Sequence, residues 1–169
     1  MPSTRLASVL AALLALALPA AAAAKPWQGV EPGRSTADEV VGKLGEPTSR
    51  VKRGARTVVA YKADQAPPGT REAQFHCRGD GVVEEITVFL AVPLDADSIE
   101  GTYGKPQTKT FTDSFQKVWL YPQKGVTVFF DKDGAVEAIA FSAPVAAKAE
   151  RATPAAQAAD HRADPKAEK

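Results

Sequence analysis

Two stretches of this chain can be laid one on the other without a gap: Ala37-Asp38-Glu39-Val40-Val41-Gly42-Lys43-Leu44-Gly45-Glu46-Pro47 and Ala96-Asp97-Ser98-Ile99-Glu100-Gly101-Thr102-Tyr103-Gly104-Lys105-Pro106. Alanine, aspartate, both glycines and proline coincide, and so do the apolar pairs Val40/Ile99 and Leu44/Tyr103. A second match follows downstream, where Asp80-Gly81-Val82-Val83-Glu84-Glu85-Ile86 aligns with Asp133-Gly134-Ala135-Val136-Glu137-Ala138-Ile139. Two matches in the same order identify an internal duplication. The second copy is the shorter, and the loop around Pro67-Pro68-Gly69 accommodates the difference.

The aligned stretches read as short helices. Thr36 followed by Glu39 is a capping box, in which the hydroxyl accepts from a free first-turn N–H and the carboxylate reaches back. Val40, Val41 and Leu44 then share a helical face. Gly45 suits a left-handed terminus, and Pro47 stops the helix from resuming. The same features are expected in copy two from Asp97 with Glu100, from Ile99 with Tyr103, and from Gly104 and Pro106. Helices of about two turns are not stable alone and must dock on something. Strand-like segments supply the support: 57–62, 72–77 and 82–90 in copy one, and 115–121, 125–130 and 135–142 in copy two. Asp80-Gly81 and Asp133-Gly134 are hairpin turn signals, because glycine adopts positive φ without strain. Alternation in Ile86, Val88 and Leu90, and again in Trp119 and Tyr121, suits antiparallel strands with one face on the helices. The expected fold is α+β: two tandem helix–β–β–β units forming one or two antiparallel sheets.

The ends read differently. Arg5, an apolar run from Leu6 to Leu18, Pro19 and the alanines to Ala24 form the pattern of a secretory signal peptide over 1–24. The run is shorter than the roughly 20 residues of a membrane span, and with no cysteine near the cleavage point a lipid anchor is not expected. The division expected is a first repeat over 25–92, a second over 93–144, and a disordered Ala-rich charged tail over 145–169. That tail lacks large apolar residues and contains Pro154 and Pro165, so burial cannot offset its ordering entropy. The formal net charge is +1 and the charges are interspersed, which argues against a nucleic-acid footprint. The single cysteine, Cys77, can form no internal disulfide.

His76 and Cys77 are adjacent, but on a strand successive side chains point to opposite faces, so they form no dyad. Glu84 and Glu85 separate in the same way. Asp131-Lys132-Asp133-Gly134 starts like a calcium loop but lacks the later ligands, and reads as a turn. Zinc needs several Cys or His ligands, and only His76, Cys77 and His161 exist. No phosphate loop or serine elbow occurs. The expectation is therefore no catalytic residue, no cofactor and no metal. Aromatics are the remaining candidates for contact with a partner: Tyr61, Trp119 and Tyr121 stand out from a set that also holds Trp27, Phe111 and Phe115. The alternative is that Trp119 fills the core between the copies and that Tyr61 and Tyr121, at equivalent places, share a packing role.

The run Gly29-Val30-Glu31-Pro32-Gly33-Arg34-Ser35-Thr36, followed by Glu39-Val40 and Leu44-Gly45-Glu46-Pro47, resembles the opening of the SmpA/OmlA (BamE-like) family. In tandem duplication the arrangement is similar to that of β-lactamase inhibitor proteins. The resemblance implies a helix followed by a β-meander, used for binding proteins. Where the family's outer-membrane lipoproteins carry a lipidated cysteine after the signal, this chain has Lys25-Pro26-Trp27. The expected function is a non-catalytic protein-binding module, periplasmic or secreted. It would serve as a cell-envelope or outer-membrane assembly or scaffold factor, or alternatively as an inhibitor of an extracytoplasmic enzyme. The expected partner is a protein of the cell envelope, with no nucleic acid and no transmembrane span in the mature chain.

Overall fold

A computed structural model describes residues 24–145. The expected signal peptide over 1–24 and disordered tail over 145–169 lie, but for Ala24 and Val145, outside the described residues.

Copy one consists of α1 (Ala37–Leu44), β1 (Ser49–Arg53), β2 (Arg56–Lys62), β3 (Thr70–Cys77) and β4 (Val83–Leu94). Copy two repeats the order with α2 (Ala96–Tyr103), β5 (Thr108–Phe111), β6 (Lys117–Tyr121), β7 (Val126–Phe130) and β8 (Val136–Ser142). The strands form one eight-stranded sheet in the order β1-β2-β3-β4-β8-β7-β6-β5. All pairings are antiparallel. The last strands of the two copies, β4 and β8, meet in the centre. The sheet is therefore symmetric in topology about its middle, with the first strand of each copy at an edge.

Each copy has four strands and not the three expected, the additional ones being β1 and β5. Both are edge strands with one neighbour, and their sequences, SRVKR and TKTF, carry almost no apolar pattern. Copy-two strand β6 begins at Lys117 and not at 115, since Phe115 lies in the preceding turn at φ 59°. Strand β4 continues to Leu94, and the copies join at Asp95.

The caps explain where the helices start. At α1 both halves of the capping box are present: Glu39 N–H donates to Thr36 Oγ1 at 3.3 Å, and Thr36 N–H donates to Glu39 Oε2 at 3.1 Å. At α2 the cap is Asp95, whose carboxylate accepts from Ser98 N–H at 2.6 Å. Asp97 and Glu100, expected in those roles, lie inside the helix. The duplication itself places Asp95 opposite Thr36 and Ser98 opposite Glu39. Serine cannot reach back as glutamate does, so copy two has half a box.

Both helices end on glycines of positive φ, as the sequence implies, but the conformation differs from a left-handed cap. Gly45 has φ 82°, ψ −167° and Gly104 φ 77°, ψ −169°. This extended positive-φ region is accessible essentially to glycine alone. It turns the chain directly from helix into the edge strand of the same copy.

Both helices lie on one face of the sheet. Val40 and Ile99 are their buried residues and belong to a single core with Val59, Phe75, Ile86, Val128 and Ile139. Burying a side chain such as Val40 contributes about 1.5–3 kcal/mol relative to exposure, more than an isolated two-turn helix can supply by itself. The segment before α1 is fixed to the β3–β4 turn: Gly33 N–H donates to Val83 O, Val83 N–H to Ser35 O, and Ala37 N–H to Gly81 O. Among the described residues no helix is long and apolar enough to cross a membrane.

Candidate functional site

Pairing register sorts every strand residue onto one of two faces, because cross-strand partners share a face and neighbours along a strand do not. The face opposite the helices begins at β1 with Ser49, Val51 and Arg53. Together with Val58, Ala60 and Lys62 of β2 and Glu72, Gln74 and His76 of β3, they line a depression of about 230 Å³. From there the register leads across β4 through Glu85, Thr87 and Phe89. It reaches β8 at Ser142, Ala140 and Ala138. It continues through Thr127 and Phe129 of β7 and Val118 and Leu120 of β6, and ends at Thr108 and Thr110 of β5. No described helix lies on this side.

The two halves of this open face differ in chemistry. In the copy-one half, Lys62 Nζ lies 2.9 Å from Glu72 Oε1, and the Gln74 amide also donates to that carboxylate. Burial acts to raise the Glu72 pKa. The hydrogen bonds from Gln74 and Lys62, with the charges of Lys62 and Arg71, outweigh it and hold the carboxyl below its ordinary value. Thr87 donates to Glu85 at 3.2 Å. Beyond β3 an apolar patch follows, with Phe89 of β4, Ala138 and Ala140 of β8, Phe129 of β7, and Val118 and Leu120 of β6. Val118, Ala138 and Ala140 are buried although they face away from the helices; Ala138 is set between the larger cross-strand neighbours Phe89 and Phe129, Ala140 between Thr87 and Thr127, and Val118 beside Phe129. Above Phe89 stands the Arg71 guanidinium, 5.6 Å from the ring centroid. It is paired with Glu137 at 2.6 Å, a contact that crosses between the copies.

The duplication supplies an internal control for this difference. Lys62 corresponds to Pro122, Gln74 to Thr127, His76 to Phe129, Glu85 to Ala138 and Thr87 to Ala140. The core positions stay apolar in both copies, as in Tyr61/Tyr121, Phe75/Val128 and Ile86/Ile139. At four of these five positions a polar side chain of copy one gives way to an apolar one, while Val51/Thr110 and Phe89/Ser142 change in the opposite sense. The fold requires neither a polar nor an apolar residue there.

The three aromatics singled out from the sequence lie on the other side. Tyr61, Trp119 and Tyr121 are 0%, 4% and 3% exposed, in the core beneath the helices. The Tyr61 ring meets Phe75 edge-on at 5.8 Å between centroids, and Tyr121 packs against Tyr103 at 5.7 Å. Desolvation raises the pKa of both phenols, reinforced by Glu46 at Tyr61, where Arg50 opposes it, and by Glu100 and Tyr103 at Tyr121. Trp119 Nε1 is buried with no acceptor among the described residues, while the ammonium of Lys109 stands 4.2 Å from its ring centroid. These side chains offer no surface to a partner as they stand. Their burial follows from alternation, which separates two faces but does not say which one the helices take.

His76 and Cys77 occupy opposite faces: the imidazole lines the open depression, and the thiol is fully buried in the core. Desolvation raises the Cys77 pKa, with Arg50 opposing. Glu84 pairs with Arg56 at 3.1 Å, away from Glu85. Asp131 Oδ1 accepts from the N–H groups of Asp133 and Ala135, both at 2.9 Å, which is a turn. Among the described residues no cluster of three or more His, Cys, Asp or Glu could hold a metal.

No protein-family model matches the chain, and no curated protein matches it. Solved structures of similar fold exist. A DUF4309 family protein (YjgB) from Bacillus subtilis superposes with a TM-score of 0.57 at 16% identity, covering 71% of this chain and 87% of that one. An extracellular protein containing an SCP domain from Bacillus anthracis gives a TM-score of 0.46 at 12% identity, with 64% of this chain and 43% of that one covered. A cysteine-rich secretory protein (SAV1118) from Staphylococcus aureus gives 0.43 at 8%, with 64% and 42% covered. The first likeness concerns the fold; the other two are too distant to carry an argument.

Proposed function

We propose that this chain is an exported, non-catalytic protein-binding module of the cell envelope, with the open face of its sheet as the recognition surface. The observation that carries the reading is the one-sided layering: among the described residues the eight strands are covered by helices on one face only, and on the other face the two copies carry different side chains. A polar patch around Glu72, Gln74 and His76 beside an apolar patch around Phe89, Leu120 and Phe129 offers what a protein interface combines: apolar contact area and directional polar groups. The leader-like N-terminus supports export, and the tandem helix-and-strand plan supports kinship with BamE-like modules. An assembly or scaffold role in the envelope is the reading put forward.

Photo-crosslinking in the producing cell tests it. A crosslinker in place of Gln74 or Phe129 should capture a discrete envelope protein, while the same group at exposed Asp38 on α1 should not. Adducts from Asp38 alone, or none from the sheet positions, would overturn the proposal. Capture of a single hydrolase whose activity falls stoichiometrically would replace the scaffold role with inhibition.

A further inference from the structure

The two edges of the sheet are equivalent strands of the duplicated copies, yet they carry different residues. Strand β1 has Arg50, Lys52 and Arg53, all exposed. Charged side chains on an edge discourage pairing with another chain. In β5 the equivalents are Lys109, Phe111 and Thr112, the last just past the strand. Where copy one has the cation Lys52, copy two has a phenylalanine that is 64% exposed. The following turn diverges in the same direction. Gly54 holds positive φ in the β1–β2 turn, at 61°, whereas the β5–β6 turn places Phe115 there, at 59° and 87% exposed. A phenylalanine in the left-handed region is strained, and exposing it gains nothing for the monomer. Phe111 and Phe115 line one open groove together with Gln116, Lys117 and Phe130.

The hydrogen-bonding groups of β5 that have no partner among the described residues follow from the register. Thr112 N–H donates to Gln116 O at 2.9 Å, continuing the pairs Phe111↔Lys117 and Thr110↔Val118. Bonded and non-bonded residues alternate along an antiparallel pair. Thr110 and Thr112 therefore turn their peptide groups to β6, while Lys109 and Phe111 turn theirs outward. Two outward residues spaced by two form a self-complementary set. Antiparallel to a second β5 about a two-fold axis through Thr110, Lys109 of each chain meets Phe111 of the other, and both bonded pairs close.

From this geometry we propose that a second copy of this chain pairs with the β5 edge, forming a two-fold dimer with a continuous sheet and with Phe111 and Phe115 at its seam. The arrangement is isologous, as in most homodimers. Charged β1 remains at the outer ends, so the assembly closes at two copies. The open sheet face is left free, and the inference stands independently of the function proposed for it.

Sedimentation equilibrium of the purified mature chain, up to about 100 µM, and disulfide trapping test this together. The wild-type chain should be dimeric. Phe111→Lys, which restores the residue type of β1, and Phe115→Gly, which relieves the turn, should each weaken association by roughly tenfold or more, with unchanged circular dichroism. Thr110→Cys should form an inter-chain disulfide rapidly, since residues facing across the axis in a non-bonded pair lie about 4.5 Å apart at Cα. The equivalent Val51→Cys on β1 should not. A monomeric wild-type chain would overturn the proposal, even one that floats with anionic vesicles. So would a dimer indifferent to both phenylalanine changes, or equal trapping at 51 and 110.

Discussion

The Tyr61 hydroxyl donates a 2.8 Å hydrogen bond to the carbonyl of Gly45, the residue that ends α1. The duplicate relation holds in copy two, where the Tyr121 hydroxyl donates to the Gly104 carbonyl at 3.0 Å. Each copy thus fastens its helix terminus to its second strand through one phenol. A buried tyrosine needs a partner for its hydroxyl, and a helix end has carbonyls to satisfy.

Tyr61→Phe and Tyr121→Phe should each cost about 1 kcal/mol, the net value of one such bond. The two strands are five sheet spacings apart, about 24 Å, so the effects should add. Urea unfolding of the single and double variants measures this. A double variant as stable as wild type would mean the phenols only fill space.

Gly45→Ala and Gly104→Ala should each cost about 1–3 kcal/mol, because the backbone conformation strains any other residue. A Cβ at either position meets nothing within 4 Å, so the cost is conformational and not steric. Gly125→Ala should be much worse, since its Cβ would overlap the Ser142 carbonyl. Equal stability losses at all three positions would contradict this ranking.

The alkaline limb of stability should follow the tyrosines. All three in the chain, Tyr61, Tyr103 and Tyr121, have pKa values raised by desolvation above the ordinary 10.0. With the folded pKa above the unfolded one, their contribution is complete below pH 10 and is lost as pH rises through the folded values. Absorbance at the phenolate band should show no tyrosine titrating at its ordinary pH while the fold persists. One phenol doing so would contradict the burial described.

The acid limb has the opposite sign. Glu72 is held below its ordinary value by its hydrogen bonds and cations, against burial, and Asp95 by the Ser98 N–H it caps. Their stabilisation is present above the unfolded pKa values, near 4, and fades as pH falls through the folded ones. Asp95→Asn, which keeps an acceptor, should flatten the acid limb more than it lowers neutral stability in urea titrations. An acid limb unchanged by the substitution would contradict the cap.

Cys77 should label with a thiol reagent only as fast as the native state opens, being fully buried with a raised pKa. Denaturant should restore ordinary reactivity. Rapid labelling of the native chain would place the thiol beside His76 on the open face.

The duplication, both helices, the glycine ends and six of the strands could be read from residues, since each leaves a local mark: a repeat, a cap, a turn or an alternation. The edge strands could not. Strands β1 and β5 pair on one side only and contribute little to the core, so their sequences carry no burial pattern. Cap Asp95 was present in the alignment opposite Thr36, but adjacent Asp97 obscured it.

Alternation determined that Tyr61, Trp119 and Tyr121 would each share a face with their cross-strand partners. Which face the helices would cover was decided only by tertiary structure, because a strand's two sides are equivalent until something packs on one. The composite open surface has the same origin. Glu72, Phe89, Ala138 and Phe129 are distant along the chain, and registration through the central β4–β8 pair sets them side by side.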